Sequence, residues 1–252
     1  MTSRNLAAFS SLSLPWLLAA SLHAQAVSIT PLPAPIPLAD ALRSRGVSDL
    51  SEPSLITALM SSNPEIRILA ANKLAEDGAH DAIPAIETAL QVEKSVNAEA
   101  NIAQALWVLH DPKGVERLLT MCADPGLRTG DLLITLVILQ NTQTSVSTCA
   151  NTLLNAISGE RDMGLLAMSL ARLPFVSRDA PPDIRTRIFE VLSAFLFDTA
   201  QPFIVRQSSS QALAQIGSSD ARDAIQKAIT TEKNQGLRES FERDLKVIEN
   251  KS

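Results

Sequence analysis

NPEIRILAANKLAEDGAHDAIPAIETAL, residues 63–90, is the stretch from which the rest of the chain can be read. Ile66, Leu69, Ala70 and Leu74 recur at the spacing of one helix face, and Gly78 ends that face where a helix commonly hands over to a left-handed turn. Asp81 and Pro84 then open a second helix, with proline in a first turn that has no N–H bond to lose. The stretch has a copy 139 positions later. Arg67 falls on Arg206, Leu74 on Leu213, Ala75 on Ala214, Gly78 on Gly217 and Asp81 on Asp220. Ala82, Ala85, Ile86 and Ala89 meet Ala221, Ala224, Ile225 and Ala228, so nine of 26 ungapped positions are identical. Internal repetition of this kind marks a stacked array of helical hairpins, in which each unit buries its apolar face against its neighbours.

Helical signals recur from residue 38 onward without a convincing strand. The spacing predicts a short helix over residues 38–45, then six hairpins, each with an A helix followed by a B helix. The A helices are expected over 53–61, 82–92, 113–123, 146–157, 184–197 and 220–231. The B helices are expected over 65–77, 97–109, 128–140, 161–173, 203–216 and 237–249. Pro174–Asp183 (PFVSRDAPPD) reads as the longest irregular connection. The last B helix is dense in charge, as suits the end of an array.

Ile66-Arg67, Ala70-Ala71, Leu74-Ala75, Gly78, Asp81 and Ala82-Ile83-Pro84-Ala85-Ile86 resemble the HEAT repeat in its short, phycobilisome-lyase-like form. Val205-Arg206, Ala212-Leu213-Ala214, Gly217, Asp220-Ala221 and Ala224-Ile225 follow the same pattern. The middle of the chain departs from it: Glu99 stands where Arg67 would be, and the later units lose the glycine turn. The resemblance implies an all-α, right-handed α-solenoid of about six antiparallel hairpins, used as a scaffold or binding surface. It implies no single activity, because function lives in a site and not in a fold. Enzyme accessories such as cofactor-attaching lyases share the repeat and are the alternative.

Composition agrees with a folded helical protein. Hydrophobic residues make up 46% of the chain, aromatics only 4%, and tyrosine is absent. Mean hydropathy is +0.11 and the net charge is −5, with no concentrated basic stripe, so a dedicated nucleic-acid binder is not expected. Residues 1–26 read as an export signal: Arg4, the apolar run LSLPWLLAASL, then Ala24-Gln25-Ala26. Residues 27–50 read as a proline-rich linker with a short helix, and 51–252 as the repeat domain, free of membrane spans after signal removal. A periplasmic or extracellular location follows from that reading.

Most residues that could form a site also have an ordinary structural role open to them. Arg67 and Arg206 are expected to bond exposed carbonyls or a neighbouring unit's carboxylate. Cys122 and Cys149 invite a disulfide in an oxidising compartment. Adjacent helix axes lie about 8–10 Å apart, however, whereas a bridge needs Cα atoms within roughly 7 Å; two buried thiols are therefore the favoured reading and a bridge the other. His80 and His110 read as exposed turn residues, too few for a metal site. No cofactor is implied, no catalytic motif is present, and the chain is expected not to be an enzyme.

Partner binding is placed on the concave B-helix face. Positions two before the aligned leucines are Asn72, Gln104, Val137, Met168 and Gln211; two after are Glu76, Val108, Asn141, Arg172 and Gln215. Both rows are polar at their ends and partly apolar in the middle, the pattern of a protein or peptide docking patch with a polar rim. Trp107, replacing Ala75 and Ala214 of the sister units, is the candidate anchor, and ordinary core is its alternative role.

Overall fold

A computed structural model describes residues 36–250 of the chain. The expected signal at 1–26 and most of the linker lie outside the described residues. Within them are thirteen α-helices and no strand. A short helix α1 (Leu38–Ser44) precedes six hairpins: α2 (Glu52–Ala58) with α3 (Pro64–Glu76), α4 (Ile83–Val92) with α5 (Val96–Val108), α6 (Pro112–Ala123) with α7 (Thr129–Gln140), α8 (Ala150–Gly159) with α9 (Met163–Ser177), α10 (Pro182–Phe197) with α11 (Phe203–Ile216), and α12 (Ser219–Thr231) with α13 (Gln235–Glu249). The B helices α3, α5, α7, α9, α11 and α13 pack in succession as one layer. In the other layer α6, α8, α10 and α12 pack in succession. The chain is an all-α solenoid of helical hairpins.

The termini follow local chemistry. Asn63, Asp111, Asp162, Ser218 and Asn234 cap their helices, each side chain accepting a bond from a backbone N–H of the first turn at 2.8–3.1 Å. B helices stop on a left-handed residue, which frees the chain to reverse. Gly78 and Gly217 take that role as their type predicts, with φ of 67° and 70°. Where the glycine has been lost the conformation persists: His110 (φ 64°) and Gln143 (φ 56°) stand 32 and 65 positions after Gly78. α13 ends on right-handed Asn250, and α9 departs furthest. It continues through Pro174 to Ser177, so the irregular stretch expected over 174–183 is mostly helix. Leu173, Val176 and Ala180 are buried there, and their burial outweighs the bond that the proline removes.

The core consists of two apolar clusters, one drawn from Leu42 to Leu109 and one from Ala100 to Ile248, so that α5 contributes to both. Leu42 of α1 is fully buried and α1 packs on α3, which makes that helix part of the packed unit. Cross-unit ion pairs set the spacing of the array. Arg67 Nε and Nη2 each donate to the Glu93 carboxylate at 2.6 Å, and Nη1 donates to the Ser61 carbonyl at 2.7 Å. Arg206 pairs with Glu232 and donates to the Leu196 carbonyl at 3.0 Å. Glu93 and Glu232 are themselves 139 positions apart, so the clamp is repeated with the arginine. Burial alone would raise Glu93, but bonds from Arg67 and from the Ser95 and Lys94 N–H groups hold its pKa below the ordinary carboxylate value. At Glu99 the charges are reversed, and the glutamate of the B helix receives Arg117 of α6.

At Gly114 the backbones of α5 and α6 meet closely. A Cβ added to Gly114 would strike the Ala103 carbonyl and come within 2.7 Å of the Trp107 nitrogen. Both atoms are backbone and cannot swing aside. Gly114→Ala is expected to cost at least about 1–3 kcal/mol, read as a lower urea midpoint with an unchanged slope.

Candidate B-helix surface

Leu74, Leu106, Leu139, Leu170 and Leu213 are each completely buried, one in each of α3, α5, α7, α9 and α11. At about 100° per residue, positions nine, five and two before each leucine and two after it point within roughly 40° of the opposite direction. They should form the outer face of the B layer, and they do. Among these positions Ser208 alone is buried. Asn72 and Gln104 are half-buried, while Glu76 and Gln211 are exposed. Val108 is 43% exposed and Met168 38%, so both belong to the surface and not to the core. Glu76 is taken up by Lys73 at 3.2 Å.

Trp107 is half-buried at the edge of this face, between the two roles expected for it. Four apolar residues of the same surface lie outside the rows two before and two after the leucines. Ile134, 37% exposed, and half-buried Leu69 and Leu165 stand five before their leucines, and Ile204, 47% exposed, stands nine before Leu213. They are found one and two turns back along the same ladder. Ile134, Val137, Leu165 and Met168 give α7 and α9 the densest apolar stretch, and the flanking positions mix Asn72, Gln104 and Gln211 with Leu69 and Ile204.

Arg172 lies on α9, one turn after Met168, and donates through Nη1 to the Gln140 side-chain oxygen of α7. Burial holds its pKa below the ordinary arginine value. In the groove between α4 and α6, Lys113 Nζ meets Glu87 at 2.6 Å. Among the described residues no group of three His, Cys, Asp or Glu side chains is placed to hold a metal ion. None of the described helices is long and apolar enough to cross a membrane.

Cys122 and Cys149 are joined, with Cα atoms 5.1 Å apart. The two free thiols favoured from helix spacing are therefore corrected. Cys149 does not sit on the body of α8; it ends a 3-10 turn, Ser147–Cys149, that packs directly on α6 inside the usual inter-axis distance.

No protein-family model matches the chain, and no curated protein matches it. A solved structure of human deoxyhypusine hydroxylase in complex with glycerol is similar at a TM-score of 0.37 and 17% identity, over 84% of this chain and 77% of that one. No residue or activity of the hydroxylase transfers to this chain at that distance. The expectation that this chain is not an enzyme does not stand: the matched structure is that of an enzyme, and at this distance it bears on the chain in neither direction.

The seam between α11 and α13 is polar. Ser210 Oγ donates to Asp244 at 2.6 Å and Gln207 Nε2 to Ser240 at 3.2 Å. Burial pushes the Asp244 carboxyl up to about 6, against the lowering effects of Ser210 and Arg243. A folded pKa above the unfolded one means that the folded state binds the proton more tightly. The contribution of Asp244 is therefore greatest below about pH 4 and is lost as pH rises through about 6. Asp244→Asn is expected to raise the melting temperature at pH 7.5 and to flatten its pH dependence over this window, as followed by circular dichroism.

Proposed function

We propose that the protein is an exported scaffold of short, phycobilisome-lyase-like HEAT repeats that holds a protein or peptide partner on its B-helix surface. One observation carries the reading: outward-facing Val108, Ile134, Val137 and Met168 occupy adjacent B helices, between polar residues on the flanking helices. Apolar side chains exposed at the centre of a face and rimmed by amides are the composition of a docking patch. The rigid array beneath them holds the patch in shape, so a partner would not have to order it on binding. Export is supported by the pattern of residues 1–26 and by the Cys122–Cys149 bridge, because disulfides persist in oxidising compartments.

The test is affinity capture from the cell-envelope fraction with wild type, Met168→Glu and Trp107→Ala. A partner retained by wild type is expected to be lost with Met168→Glu while the melting temperature holds, since that side chain is on the surface. Trp107→Ala is expected to weaken capture with a modest drop in melting temperature, in keeping with its half-buried position. Undiminished capture by Met168→Glu would refute the reading.

A further inference from the structure

We infer that Arg172 reads an acidic side chain of the partner, and that the partner segment is a peptide carrying Asp or Glu between apolar residues. The inference rests on the B surface being the docking face and adds the chemistry of its occupant.

Among the described arginines, Arg67 and Arg172 are half-buried and Arg206 is buried, while the rest are exposed. Desolvating a guanidinium is costly unless a carboxylate compensates. Arg67 has Glu93 and Arg206 has Glu232. Arg172 pairs with no carboxylate of the described residues. Its partner is the neutral side-chain oxygen of Gln140. A guanidinium carries five N–H donors in a planar fork that fits a carboxylate with two parallel bonds. Gln140 takes one and fixes the fork against α7.

The surroundings supply no internal acid. The matching positions on the helices to either side are Asn141 of α7 and Gln215 of α11, both amides. In the rows two before and two after the leucines the one carboxylate is Glu76, on α3 and engaged by Lys73. Beyond these amides the neighbouring positions are apolar: Met168 lies one turn away on α9, and Val137 one turn before Gln140 on α7. A free anion would satisfy the guanidinium but leave Met168, Ile134 and Val108 in water. A peptide segment satisfies both, with its acid on Arg172 and apolar neighbours along α7 and α9. The clamp that the array uses between its own units is thereby left half-made at Arg172, for a partner to complete.

A displayed library of random peptides of about 12 residues, panned on the purified protein, tests this. Binders are expected to share one Asp or Glu with apolar residues on both sides. Changing that acid to its amide should weaken binding to wild type about tenfold and leave binding to Arg172→Gln unchanged. Arg172→Gln itself is expected to melt with wild type, since no carboxylate partner is lost; should it fail to fold, the peptide-side change still decides the matter. Acid-free binders that are abolished by Met168→Glu would overturn the inference and leave the docking face standing. Binders indifferent to both substitutions, competition by inorganic phosphate in place of peptide, or no binders at all would overturn it together with the docking face.

Discussion

The outer surface of this protein depends on one packing constraint. Leu74, Leu106, Leu139, Leu170 and Leu213 are sealed between the two layers, and a helix that buries one side chain completely has its rotation settled. Each leucine drives the same phase into its own B helix. The residues opposite it face water whether they are polar or not, which is how Met168 and Val108 come to be exposed despite their chemistry. A shift of one residue in that phase would rotate the face by about 100° and put amides into the core.

A second set of interactions fixes how one hairpin follows the next. The Arg67–Glu93 and Arg206–Glu232 pairs tie a B helix to the turn that ends the following A helix. In the same place the carboxylates accept backbone N–H groups, so each bond orders the turn as well as the pair. The middle of the array is held otherwise, by the reversed Glu99–Arg117 pair and by the Cys122–Cys149 bridge from α6 to the turn before α8. The units with the weakest sequence signature are thus the ones joined by covalent and inverted connections. They also carry the apolar centre of the B surface.

Much of this was legible in the sequence because it is local. Helix periodicity, Asn, Asp and Ser caps, and glycine stops are written within a few residues of where they act, and all six hairpins follow from them. Arg67 and Arg206 take structural roles as expected, each on a neighbouring unit's carboxylate and on a carbonyl near the end of the preceding A helix, although those carbonyls are covered and not exposed. What was not legible depends on partners far along the chain. Pro174 stops a helix by local rules, yet buried Val176 and Ala180 carry α9 past it. Spacing alone places Cys122 and Cys149 on parallel axes, whereas the bridge forms because Cys149 falls in a 3-10 turn. His110 and Gln143 keep a left-handed stop that their residue types do not announce. Rotational phase was readable from the leucines, and with it most of the candidate face; the missing carboxylate beside Arg172 required every other pairing to be known.

That the α7–α9 centre of the B layer is where a partner sits is the central claim, and site-specific photo-crosslinking in cells addresses it most directly. A photoreactive residue at Met168 on the B surface is compared with one at Thr120, exposed on α6 of the other layer. One discrete crosslinked species is expected from Met168 and none from Thr120. Crosslinks from Thr120 alone, or the same species from both positions, would contradict the claim.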